Sequence, residues 1–348
     1  MKICIIGGGF SGASLALRLL PYVDPKQLTI IEPRRELGLG PAYGVTYPHH
    51  LLNVPADRMG IFAEEPEDFF AWTQTQTPPI TLERASFAPR IVYGRYLREK
   101  LSPLIGTVRH LQCRAVDLDH HDSGAFTISC DDGTNERFDA VILALGNQAP
   151  VVPLGLRNVS EAPGFVKDPW RPDALGSLVE LDAIAIIGTG LTSVDAVIEL
   201  YERGFAGTCT MVSRRGLLPR SHPPTRYAPL PSVVSGTPSL RSILRTLRKE
   251  SRSTPWQAVV DSIRPRSAEL WQGLSTQEKL SFIRRVRPYW DVHRHRIPEQ
   301  SAQALEKMQR DGRLTVVAGH LTDALYDDGQ FTLGIRTKQG SVRAVVDA

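Results

Sequence analysis

The 348 residues suffice for two domains with cores of their own, and 42% hydrophobic with 22% charged residues is ordinary for a globular chain. A net charge of +4 is too mild to argue for nucleic acid, and no apolar run approaches a membrane span, so neither partner is expected. The charge is uneven: 13 Lys/Arg against 5 Asp/Glu fall between Arg241 and Arg296, which fits an anionic cofactor or partner, or simply a solvated helical face.

Met1 leads directly into Lys2-Ile3-Cys4-Ile5-Ile6, read as a buried parallel strand. No signal peptide is therefore expected, and a cytoplasmic protein is. The turn Gly7-Gly8-Gly9-Phe10-Ser11-Gly12 follows, then a helical pattern over 11–20 and a strand at Leu28–Glu32, completing a βαβ unit. Residues 34–60 hold too many Gly, Pro and aromatic residues for regular structure. Glu64, Glu65, Glu67 and Asp68 suit a helix start, and a further helix is expected from about Gly94 to Leu101. A meander comes next: strands at 113–119 and 125–130, turns at Asp122-Ser123-Gly124 and Asp132-Gly133, and a strand ending in Asp139–Gly146. Pro150 and Pro153 mark a linker.

The order then repeats. A strand at 183–187 enters Gly188-Thr189-Gly190-Leu191-Thr192-Ser193, followed by a helix at 191–203 and a strand at 208–213. A Pro-punctuated, helical insertion occupies about 217–300. Strands at 313–318, 320–326, 330–336 and 341–348 follow, with a turn at Asp327-Asp328-Gly329. The expected class is α/β: two Rossmann-like, three-layer domains of the glutathione-reductase type, at 1–153 and 154–348, the second carrying the insertion. Asp347-Ala348 falls where Asp139-Ala140 begins a strand in the first half, so a closing strand of the second lobe is expected to be missing.

Each glycine turn has a chemical rationale. Gly7 permits the tight turn, Gly9 lets backbone approach a pyrophosphate, and Gly12 lets the helix pack closely on the sheet. Phe10 and Ser11 open the helix whose N–H groups face the phosphates. Glu32 can accept the ribose hydroxyls and would repel a 2′-phosphate, which suits FAD or NAD. In the second lobe Gly188, Gly190, Leu191 and Thr192 offer the same cradle, although Ser193 replaces the third glycine. There Ser213 is followed by Arg214 and Arg215, two guanidiniums able to grip a 2′-phosphate, which favours NADPH. Two such sites in series suggest electron transfer between two dinucleotides. Cys4, Cys113, Cys130 and Cys209 form no CxxC and are read as small buried hydrophobes. His49-His50 and His293/His295 lack metal-ligand spacing, so no metal is expected, and no nucleophile elbow is present. No catalytic residue is identified.

Gly38-Leu39-Gly40-Pro41-Ala42-Tyr43-Gly44, Leu51–Met59, Asp168-Pro169-Trp170, Gly188–Thr192, Ser213–Pro219 with His222, and His293–Arg296 together resemble the bacterial YdhS-like FAD/NAD(P)-binding flavoproteins. These are relatives of the class B and N-hydroxylating flavin monooxygenases. The resemblance covers nearly the whole chain. It implies that Gly38 to Tyr43 and Asn53 lie along the flavin, that Val116 offers its backbone to the adenine, and that Ala144-Leu145-Gly146 passes near the FAD. Gly164 is followed at the class B spacing by Asp168 rather than His, so Baeyer–Villiger chemistry is not implied. The family continues into a C-terminal segment that completes the flavin site, so a loosely held flavin is the expectation for this chain. The implied function is an FAD-dependent, NADPH-using oxidoreductase, monooxygenase-like, acting on a small molecule. The alternatives are an NADPH oxidase or reductase with another acceptor, or a non-catalytic nucleotide-sensing module whose basic insertion binds a partner. Oligomeric state is not readable.

Overall fold

The computed structural model describes residues 1–44 and 47–348. The chain divides into two compact units, Met1–Val151 with Trp170–Pro172, and Val152–Pro169 with Asp173–Ala348. Among the described residues no helix is long and apolar enough to cross a membrane.

The first unit is built on a parallel sheet of order β3-β2-β1-β7, with β1 at Ile3–Ile6, β2 at Leu28–Ile31, β3 at Arg109–Leu111 and β7 at Ala140–Leu143. Every residue of β1 and β2 is buried, as expected of short apolar strands covered on both faces. Helix α1 (Phe10–Leu19) lays Ala13 and Ala16 on the sheet, and their small side chains let helix and sheet approach closely. Short α2 (Gly40–Tyr43), α3 (Asp68–Thr75) and α4 (Arg90–Lys100) enclose a core rich in aromatics, with Phe69, Trp72, Tyr93 and Tyr96 in mutual ring contact. The meander β4 (Ala115–His120), β5 (Phe126–Cys130) and β6 (Asn135–Phe138) forms a separate antiparallel sheet. Asp68, the last of the four expected helix-start acids, does begin α3.

Four details depart from expectation, the first being α2 itself, which forms within the 34–60 stretch read as irregular. Helix α4 starts at Arg90, directly after Pro89, whose extended backbone forms the N-cap. Gly94 lies inside that helix, where a Cβ would come within 2.5 Å of the Tyr43 carbonyl oxygen; it marks close packing, not a helix start. Asn135–Leu143 is two strands: Asp139 turns the chain from β6 in the meander to β7 beside β1. Finally, β3 has no counterpart in the sequence reading, because three residues are too few to show a period.

The second unit places β8 (Ala183–Ile187), β9 (Thr208–Ser213) and the first half of β10 (Leu314–Asp327) in parallel register. Helix α5 (Leu191–Glu202) follows β8. The expected pair of strands at 313–318 and 320–326 is one continuous strand that changes partner, from β9 to antiparallel β11 (Gln330–Thr337) at Gly319. β12 (Gly340–Val346) completes the order β12-β11-β10-β9-β8. The insertion holds α6 (Leu240–Glu250), α7 (Trp256–Ile263), α8 (Ser267–Gly273), α9 (Thr276–Ser281), a π turn at 282–286 and α10 (Arg287–Arg294). Its small core joins Val234, Leu240, Ile243, Ile263, Leu270 and Leu274. Helix α11 (Glu299–Arg310) returns to the core beside α5 and β10.

Candidate cofactor-binding sites

In the first unit, Gly7 ends β1 with φ +104°, a left-handed conformation that disfavours any side chain, and its N–H donates to the Ile31 carbonyl at 2.8 Å. Gly9 caps α1 in an extended conformation (φ −68°, ψ −167°) and points the first-turn N–H groups outward, where the helix supplies no acceptor. A Cβ on Gly12 would overlap the Gly7 carbonyl oxygen, whereas one on Gly9 would find nothing nearer than the Gly40 Cα at 3.7 Å. One glycine therefore serves packing, and the other leaves open space at a helix N-terminus.

Glu32, immediately after β2, is only 7% exposed. Its Oε2 accepts the Gly8 N–H at 2.9 Å and its Oε1 accepts the Arg34 N–H at 3.1 Å. The carboxylate is thus bonded to the glycine turn itself and keeps further lone pairs for donors such as ribose hydroxyls. Gly38 N donates to the Gly8 carbonyl at 2.7 Å, which ties the Gly38–Tyr43 segment to the turn. The Tyr43 ring meets Tyr93 edge-on at 4.8 Å and Phe10 at 5.8 Å, and burial raises its phenol above the ordinary range.

The structure therefore brings Gly7, Gly9, Phe10, Gly12, Glu32 and Tyr43 together around the start of α1, with exposed Ser11 in its first turn. The Ala144 N–H donates to the Ile6 carbonyl at 2.8 Å, which carries the segment leading to Gly146 past the same turn; Gly146 has φ +65°. Half-buried Asn53 follows Leu52, whose N–H donates to the Ala88 carbonyl. Val116 sits at an irregularity of the β4–β5 ladder with 60% of its surface exposed. Among the described residues no hydrogen bond joins Val116 to the glycine turn.

Two groups escaped the sequence reading. Gly8 supplies the N–H that fixes Glu32, a role signalled only by its place inside the glycine run. Arg90 is buried, donates from Nε to the Leu51 carbonyl at 3.0 Å and lies over the Trp170 ring. Both segments it touches belong to the motifs on which the family resemblance rests.

The second unit repeats this geometry with different chemistry. Gly188 has φ +124° and its N–H donates to the Val212 carbonyl at 2.8 Å, as Gly7 donates to Ile31. Gly190 caps α5 with φ −83° and ψ −172°, close to the values at Gly9, and a Cβ there would meet nothing within 4 Å. Leu191 and exposed Thr192 open the helix. Register then matches Glu32 with Ser213, whose hydroxyl accepts from Thr189 Oγ1 at 2.9 Å and from the Gly216 N–H at 3.1 Å. A neutral hydroxyl thus stands where the first unit has a carboxylate. Arg214 is exposed, and Arg215 donates from Nη2 to the Arg284 carbonyl in the π turn at 3.1 Å.

Cys4, Cys113 and Cys130 gather in a small core with Ile6, Ile31, Ile128 and Phe138. Burial pushes the Cys4 and Cys113 thiols up to about 12.

Comparison with known proteins agrees with this geometry. Residues 4–148 match a FAD-NAD(P)-binding family. The Escherichia coli (strain K12) protein YdhS is 24% identical over 274 residues, 67% of this chain and 49% of that protein, so the chain spans about half the length of that relative. Among solved structures, an ornithine hydroxylase from Pseudomonas aeruginosa aligns with a TM-score of 0.65 at 14% identity, over 100% of this chain and 80% of its own. L-lysine 6-monooxygenase from Pseudomonas syringae gives 0.63 at 14% identity, over 100% and 79%. A bacillithiol disulfide reductase from Staphylococcus aureus gives 0.52 at 14%, over 100% and 74%. The solved structures share this chain's α/β fold, and the sequence similarity lies with a FAD-NAD(P)-binding family over residues 4–148 and with YdhS.

Proposed function

We propose that the chain is an FAD-dependent, NADPH-using oxidoreductase of monooxygenase type, with FAD on the first unit and NADPH on the second. The observation that carries this reading is the asymmetry of two matching turns. Glu32 bonded to Gly8 accepts hydroxyl donors and repels a 2′-phosphate, while Ser213 followed by Arg214 and Arg215 removes that repulsion and offers cations. The flavin, when bound, supplies the redox chemistry. The protein's own groups bind and orient: α1 and α5 present N–H groups to pyrophosphates, and the Gly38–Tyr43 segment with Asn53 lines the flavin edge. The fold shared with ornithine and lysine hydroxylases supports a small amine-bearing substrate. Four buried, free cysteines fit a reducing compartment such as the cytoplasm.

The test is optical. The protein, titrated with FAD, is expected to bind a yellow flavin at equilibrium that NADPH bleaches without oxygen at least about tenfold faster than NADH does. A protein that binds no FAD at saturating flavin, or is bleached equally by both cofactors, would overturn the assignment. Consumption of NADPH stimulated by an amine, with hydroxylated product, separates a monooxygenase from an oxidase that yields peroxide alone.

A further inference from the structure

The meander edge holds a group of ligand atoms that the cofactor reading does not use. Cys113, just before β4, and Cys130, the last residue of β5, are buried; Asp132, in the β5–β6 turn, is exposed. Their two Sγ atoms and a carboxylate oxygen all lie within 4.8 Å of one another. A tetrahedral d10 ion with bonds of about 2.3 Å to sulfur needs ligand atoms about 3.8 Å apart, so a contraction of no more than about 1 Å would close the set.

The frame holding these atoms is itself fixed. Arg114 N donates to Asp131 Oδ1 and Asp131 N to the Arg114 carbonyl, both at 2.9 Å, locking the residues next to each cysteine face to face. Gly133 N donates to the Cys130 carbonyl at 3.1 Å, and Thr134 N to Asp132 Oδ1 at 2.9 Å, which fixes the turn that carries the carboxylate. The solvent-facing Asp132 gives an entry path, and water can take a fourth position.

We propose that Cys113, Cys130 and Asp132 form a site for a thiophilic divalent ion of the zinc class. Two separate thiolates would be costly in this apolar pocket, but a dithiolate neutralised by a divalent cation is a form that a low-dielectric site accepts. On binding, two thiol protons leave to solvent as two metal–sulfur bonds form, and no redox change occurs. The ion would staple the start of β4 to the β5–β6 turn and so hold Val116, three residues beyond Cys113, in place. This site stands apart from the FAD and NADPH assignment and does not depend on it.

The experiment is titration of the full chain with Cd2+ and then Zn2+, in a non-thiol reductant that rules out a disulfide. One Cd2+ per chain is expected, with an ultraviolet thiolate-to-metal charge-transfer band, and Zn2+ should displace it and raise the melting temperature by several degrees. Cys113→Ser and Cys130→Ser should each abolish the band, and exposed Asp132→Asn should keep the fold and weaken affinity about tenfold or more. Cys209→Ser, on β9 of the other unit, should titrate as the parent does. The proposal is overturned if no charge-transfer band forms at saturating Cd2+. It is equally overturned if folded Cys130→Ser takes up the ion unchanged, if Asp132→Asn binds as tightly as the parent, or if Cys209→Ser removes the band.

Discussion

A single methyl group separates the two jobs that glycine performs in the first turn. At Gly12 the added carbon would run into the Gly7 carbonyl oxygen, a backbone atom that cannot swing aside. Gly12→Ala is therefore expected to destabilise the first unit by about 3 kcal/mol or more, read as a lower denaturation midpoint. At Gly9 the same carbon has 3.7 Å of clearance, and the φ of −68° is one that alanine adopts freely. Gly9→Ala should leave stability within about 0.5 kcal/mol of the parent and remove FAD retention, because the methyl occupies the space in front of the α1 N–H groups. Retained flavin in a stably folded Gly9→Ala chain would show that the open space is not where the pyrophosphate lies. The spacing of the glycines announced this division of labour, but Gly8 shows what spacing omits. Its N–H fixes Glu32, and only the fold reveals that the acid and the turn are one hydrogen-bonded unit.

An element can be legible in its interior and silent at its ends. The apolar runs of β1, β2, β8 and β9 stand in the structure where their composition placed them, because a buried parallel strand needs little beyond consecutive apolar residues. The short β3 was invisible because its pairing with β2 is imposed by the sheet and not by its own three residues. Gly94 misplaced the start of α4 because a glycine needed for close approach looks the same in sequence as one that ends a helix. Two arginines follow the end of β9, and the structure separates their surroundings. Arg215 already donates to the Arg284 carbonyl, while Arg214 is exposed beside the turn. Arg214→Ala is expected to cost about 1.5–3 kcal/mol of NADPH affinity, roughly 10- to 150-fold, with NADH affinity nearly unchanged. Arg215→Ala should reduce NADPH affinity too, and also speed hydrogen exchange in the π turn at 282–286. Equal weakening of both cofactors by Arg214→Ala would remove the 2′-phosphate assignment.

On the scale of the molecule, two units follow one plan, down to how each secures its first parallel strand. In the first unit Asp139 Oδ2 accepts the Lys2 N–H at 2.7 Å, and the Asp139 N–H donates to the Lys2 carbonyl at 2.9 Å. In the second, Asp347 Oδ2 accepts the Asp182 and Ala183 N–H groups at 3.1 and 2.9 Å, and the Asp347 N–H donates to the Ala183 carbonyl at 2.8 Å. The Ala185 N–H continues the pairing to the Ala348 carbonyl at 2.7 Å. The same residue type thus stands at the same corner of both units, where a carboxylate secures N–H groups at the start of the unit's first parallel strand. The match between Asp139-Ala140 and Asp347-Ala348 was visible in the sequence; the clamp was not, since nothing local to either aspartate points 137 or 165 residues back along the chain. Replacing the carboxylate should cost about 1 kcal/mol at Asp139 and about 2 kcal/mol at Asp347, which holds two backbone donors instead of one. Hydrogen exchange resolves where that cost falls. Asp347→Ala should speed exchange at Asp182 and Ala183 and leave Lys2 at the parental rate, and Asp139→Ala should do the reverse. If Asp347→Ala leaves both amides as protected as in the parent, the carboxylate is not what secures β8, and the likeness of the two corners is one of sequence alone.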